Sequence, residues 1–108
     1  MTPHLLLVVA ESYRLTGLGL LAIGRQAEPV LQQFTLHTKL EVRLLFPDGR
    51  HQTVVASVEE MSRPLAQVAA GGALTTRTET VLLLESDLVA DLPPGTEIWW
   101  SGVVETLL

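Results

Sequence analysis

The chain has no cysteine. Disulfides and thiolate-held metal sites are therefore excluded, and the absence says nothing about secretion. Basic residues are scarce: 7 Lys and Arg stand against 12 Asp and Glu, for a net charge of −5, and they form no cluster. Binding nucleic acid through its phosphates needs clustered Lys and Arg, so this balance disfavours a nucleic-acid partner. Mean hydropathy is positive, yet no apolar run approaches the ~20 residues of a membrane span. The opening Met1-Thr2-Pro3-His4 lacks the basic stretch of a signal peptide. Leu5–Ala10 resembles the short apolar part of one, but reads better as a buried strand. The expectation is a cytoplasmic protein with no membrane association. Internal repeats, linkers and a phosphate-cradling Gly-x-x-x-x-Gly-Lys motif are also missing.

What is present points to an all-β domain. The 108 residues suggest one domain spanning 1–108, large enough to bury about 65% of its unfolded surface without staples. Leu40–Met61 is its clearest stretch. Leu40, Val42, Leu44 and Phe46 alternate with Lys39, Glu41 and Arg43, which places the two sets on opposite faces of a strand. Pro47-Asp48-Gly49 then forms a three-residue loop with Gly at the left-handed position. This loop sets Phe46 opposite Arg50. Counting back pairs Leu44 with Gln52, Val42 with Val54 and Leu40 with Ala56 on one face. Leu45 with His51, Arg43 with Thr53 and Glu41 with Val55 pair on the other. A slip of one residue would turn Leu40 and Val42 outward. The base of this hairpin should be buried and its tip solvated.

Leu5–Ala10 fits a central strand that Glu11–Leu15 continues or bends. Thr16-Gly17-Leu18-Gly19 is a turn, and Leu20–Ile23 returns as the second strand of a hairpin. Gln26–Thr38 has mixed spacing. It reads as a loop with one short strand, with a single helical turn over Pro29–Phe34 as the alternative. Leu65–Ala73 reads as a helical turn and a mobile loop. Leu74–Leu84 is a strand with Val81–Leu84 buried on both faces, and Glu85–Leu92 is a turn or helix. Asp91-Leu92-Pro93-Pro94-Gly95 is a strong turn. Glu97–Trp100 and Val103–Leu107 are strands separated by a break or bulge at Ser101-Gly102. Six to eight short strands with turns between them predict a small closed or partly open antiparallel β-barrel.

Several segments fall in the order of a known family. Gly17-Leu18-Gly19 is followed by Leu20–Ile23 and Gly24-Arg25. Thr53-Val54-Val55 runs into Glu59-Glu60-Met61. Val81–Leu84, the acidic Asp87–Leu92 and Gly95-Thr96-Glu97-Ile98 follow. In these features the chain resembles the β-barrel second domain of translational GTPases such as elongation factor Tu. The resemblance implies a translation-protein-like barrel, here standing alone without a GTPase domain. His37-Thr38 and the stretch around Thr78-Glu79 replace the family's Gly-Asp pairs. No residue that meets aminoacyl-tRNA carries over.

No catalytic, cofactor-binding or metal-binding set emerges. Gly17-Leu18-Gly19-Leu20-Leu21-Ala22 matches the Gly-x-Gly-x-x-Gly/Ala dinucleotide pattern, with Glu41 at a suitable distance. That chemistry needs a helix directly after the glycines, and Ile23-Gly24-Arg25 is a poor one. His4, His37 and His51 lack ligand spacing. The serines lack a nucleophile-elbow context. Glu59-Glu60 and Glu85-x-Asp87 read as a solvated rim. Trp99-Trp100 is the informative oddity. On a strand the two rings face opposite sides, so one fills the core and the other lies outside unless the chain or a partner covers it. Val103–Leu108 or Pro93-Pro94 would be the internal cover. Trp99, Trp100, Leu107 and Leu108 form the expected partner surface. The leading expectation is a non-enzymatic module that binds a partner protein or a second copy of itself. The alternatives are a translation-related barrel binding RNA ends or a factor, and a small-molecule site in the barrel mouth under a Leu65–Leu74 lid.

Overall fold

A computed structural model describes residues 4–24, 29–64, 76–85 and 92–105. The elements are β1 (His4–Leu15), β2 (Gly19–Gly24), the single helical turn α1 (Pro29–Gln32), β3 (Lys39–Leu45), β4 (His51–Pro64), β5 (Thr76–Leu84) and β6 (Glu97–Glu105). All neighbours pair antiparallel, and the sheet closes in the order β1-β2-β5-β4-β3-β6. The expected small antiparallel barrel is thus a closed one of six strands. Closure leaves no edge where the ring is complete. Among the described residues no helix is long and apolar enough to cross a membrane, which says nothing of strands.

The β3–β4 hairpin has the register read from its turn. Leu40 faces Ala56, Val42 faces Val54, Leu44 faces Gln52 and Leu45 faces His51. The Phe46 N–H donates to the Arg50 carbonyl at 2.8 Å, and the Gly49 N–H donates to the Phe46 carbonyl at 2.9 Å. Gly49 takes φ +93°, the left-handed region open to a residue without Cβ. Asp48 accepts from the Arg50 N–H at 3.0 Å and from Arg50 Nε at 2.7 Å. The backbone bond, then the guanidinium, hold its carboxyl below the ordinary 3.8.

One apolar cluster fills the ring, drawn from inward positions such as Leu20, Leu40, Val42, Leu44, Ala56, Val58, Leu82, Leu84 and Ile98. In β1 both Leu6 and Leu7 are buried. A register shift between Leu5 and Leu7 against β6 breaks the two-residue alternation there. A second shift between Val9 and Glu11 bends β1 toward β2. The Pro93–Thr96 turn docks on this bend, with the Gly95 N–H donating to the Val9 carbonyl and the Val9 N–H to the Thr96 carbonyl, each at 2.8 Å. In β5, Val81, Leu82 and Leu84 are buried while Leu83 is half-buried.

Two readings need correction. No strand occurs between residues 29 and 38; Pro29–Gln32 is a helical turn followed by turns. Pro29 supplies a preset first helical position. Leu31 is fully buried, and Val30 and Phe34 pack against the core, so the turn presents its apolar residues to the barrel. A strand would have pointed Val30 and Leu31 to opposite faces. The two expected terminal strands are one, β6, interrupted by a bulge. Leu40 faces Val104 but Val42 faces Trp100, so β6 carries extra residues at Ser101–Val103. Gly102 takes φ +98° within it. The readings for Leu65–Ala73 and for most of Glu85–Leu92 lie outside the described residues.

β4 and β5 run on past the ring. β3 pairs with β4 no further than Ser57, and β2 pairs with β5 no further than Leu82. The β4–β5 pairing continues from Glu59↔Val81 to Pro64↔Thr76. This stretch is a two-stranded arm whose near end is tied down by the His37–Glu59 contact at 2.9 Å.

Candidate functional site

β6 lies between β1 and β3, so each of its outward side chains has neighbours on both sides. Trp99 sits opposite Leu5 of β1 and Arg43 of β3. Inward Ile98 and inward Leu44 pair directly, so two-residue alternation puts Trp99 on the outer surface with Arg43. The indole Nε1–H donates to Glu97 Oε1 at 2.9 Å. That bond joins two outward residues of the same strand and ties down the ring.

Trp100 takes the other side. It packs against the core cluster, meets Phe34 edge-on at 5.0 Å between centroids and stacks with His4 at 6.0 Å. Phe34 follows α1, so this aromatic contact joins the helical turn to β6. Both tryptophans are half-buried. Leu107 and Leu108 lie outside the described residues.

A surface groove of about 570 Å³ runs beside Trp99 over the outer faces of β3, β4 and β6. Glu41, Arg43, Leu45, His51, Thr53 and Ser101 line it with Trp99. Five of these belong to the outer face of the hairpin: Glu41, and the pairs in which Leu45 faces His51 and Arg43 faces Thr53. Leu45 is 37% exposed, an apolar side chain left at the surface. Ser101, at the bulge, donates from Oγ to the Glu41 carbonyl at 3.1 Å and fixes the spacing of β6 from β3. The groove therefore combines the Trp99 indole, one exposed leucine, a guanidinium, an imidazole and a carboxylate, with Val42 and Trp100 also along its lining.

The remaining candidates stand apart from it. Gly17 and Gly19 form the β1–β2 turn, and a strand follows them where a dinucleotide would need a helix. His4 lies against Trp100, His37 against Glu59 and His51 in the groove. Among the described residues no three His, Asp or Glu side chains come together as a metal set. Glu59 and Glu60 face opposite ways, one bonded to His37 and the other exposed. Sequence reasoning paired Arg43 with Thr53 and Leu45 with His51 but had no means of placing Trp99 beside them. The missing fact was the β3–β6 pairing. No protein-family model, no curated protein and no solved structure matches this chain.

Proposed function

We propose that the chain is a non-enzymatic β-barrel interaction module that takes an extended segment of a partner protein into the groove beside Trp99. The observation that carries this reading is the tethered outward indole at a groove with both apolar and charged walls. Tryptophan and arginine are the side chains that most often dominate protein interfaces. A ring already bonded through Nε1 offers its faces to a partner and loses little freedom on binding. The test is selection of peptides from a displayed library against the whole chain. The expected result is a family of peptides whose affinity falls by about 30-fold for Trp99→Ala. The melting transition of that variant should stay close to that of the parent. Failure to enrich any peptide, or peptides indifferent to Trp99 and Arg43, would remove the reading.

A second reading keeps the resemblance to the second domain of translational GTPases, with the closed six-stranded ring as its support. On that reading the barrel meets an RNA end or a translation factor. The acidic balance opposes the RNA branch. Filter retention with tRNA at low salt is expected to be absent, and retention that weakens steeply with added salt would favour it.

A further inference from the structure

The β4–β5 arm has two outer edges, and the edge on β5 is self-complementary. The Glu85 N–H donates to the Val55 carbonyl at 2.9 Å, which fixes the direction of the ladder. The β4–β5 register is unbroken from there to Thr76. Backbone groups of successive strand residues point to alternate edges. Arg77, Glu79 and Val81 therefore turn their N–H and C=O toward β4, and Thr76, Thr78 and Thr80 turn theirs away. Among the described residues β4 is the one strand that pairs with β5 beyond Leu82, since the β2 pairing ends there. Thr78 is exposed. The matching edge of β4 is blunted by Pro64, which has no N–H to offer.

We infer that two copies of this chain join through the β5 edges of their arms, antiparallel about a two-fold axis at Thr78. The run Thr76-Arg77-Thr78-Glu79-Thr80 reads as its own complement in that arrangement. Thr78 faces Thr78 of the second copy as a hydrogen-bonded pair, and Thr76 faces Thr80. Each of the three threonines donates one backbone bond and accepts one. Arg77 falls opposite Glu79 of the second copy, and Glu79 opposite its Arg77. Within one arm the register instead sets Arg63 opposite Arg77. Like charges in directly opposed positions destabilise a strand pair. The second copy places an acidic residue on the other side of Arg77. It also turns a two-stranded ribbon, marginal by itself, into four strands. The contact is isologous and closed, so it ends at a dimer. It lies on the arm and is independent of the reading offered for the Trp99 groove.

The test measures mass by light scattering after gel filtration, from micromolar to millimolar chain. The full chain should move from 11.8 kDa toward twice that value as concentration rises. Arg77→Glu and Glu79→Arg each set like charges across the axis and should weaken the dimer on the order of tenfold or more. The double variant restores opposite charges in exchanged positions and should recover it. Thr78→Pro removes the outward N–H and, with the side chain, the exposed Thr78–Ser62 hydroxyl contact at 3.1 Å, but no β4–β5 ladder bond, and should give a folded monomer by circular dichroism even if a charge variant fails to fold. Trp99→Ala should leave the dimer intact. A monomer throughout the range overturns the proposal. So does a dimer indifferent to both single variants and to Thr78→Pro, or a double variant no better than the singles.

Discussion

Alanine in place of Gly19 is expected to cost about 3–5 kcal/mol, which places it among the most damaging single changes available to this chain. Gly19 holds φ +134°, and a Cβ built there would overlap the carbonyl oxygen of Leu84. That oxygen belongs to the backbone of β5, next to the Leu20↔Leu84 pair that starts the β2–β5 seam. No side chain can swing away to relieve the overlap, so the seam itself has to open. A domain of this size is held by roughly 5–15 kcal/mol, so the variant should lose a large share of its stability. Gly17 is the control. It has φ +81° but nothing within 4 Å of its would-be Cβ, so alanine there should cost only the left-handed penalty of about 1–2 kcal/mol. Urea midpoints of the two variants measure the difference. Equal losses at both positions would mean that close approach to Leu84 is not what demands glycine.

Leu31→Ala should come second, at about 3 kcal/mol, with a melting temperature lower by on the order of 15 °C. Leu31 is fully buried, and it reaches the core from α1 rather than from the ring. Its removal leaves a cavity that strand neighbours held in a hydrogen-bonded ladder cannot move in to fill. Gln33→Ala, exposed just past the same turn, should change stability by no more than about 0.5 kcal/mol. A scanning calorimeter separates the two. A loss below about 1 kcal/mol at Leu31 would show that the helical turn caps the barrel without supporting it.

The parts of the fold that could be read in advance were those written locally. Pro47-Asp48-Gly49 has one good way to turn, so the β3–β4 register followed residue by residue. Gly102, between strand-forming neighbours, marked the β6 bulge. The alternation across Trp99 and Trp100 required one ring in and one out, but not which. That choice is made by Leu5 on one side of β6 and Arg43 on the other, residues far away in the chain. The same limit hid the groove, because half of it is the hairpin's outer face and the other half is a strand that arrives some fifty residues later. The helical turn over Pro29–Phe34 is only the alternative reading of the sequence because one turn is too short to express a 3.6-residue period. Val30, Leu31 and Phe34 looked irregular when tested against a two-residue period, and a strand was inferred where a plug was needed. The arm was invisible for a related reason: the length of β4 is apparent, but where its ring neighbours stop is set by other strands.

The ring is sealed by its first and last strands, since β1 pairs with both β2 and β6. The local hairpins β1–β2 and β3–β4 can form early, each across a short loop, while the β1–β6 seam closes a loop of almost the entire polypeptide. The chain entropy lost in that step is compensated only once the seam's contacts exist, so the rate-limiting event in refolding should be the meeting of the two ends. Trp100 lies at that seam, opposite His4 and against Phe34. Its fluorescence should therefore keep time with the slowest phase, after circular dichroism has already registered most of the strand content.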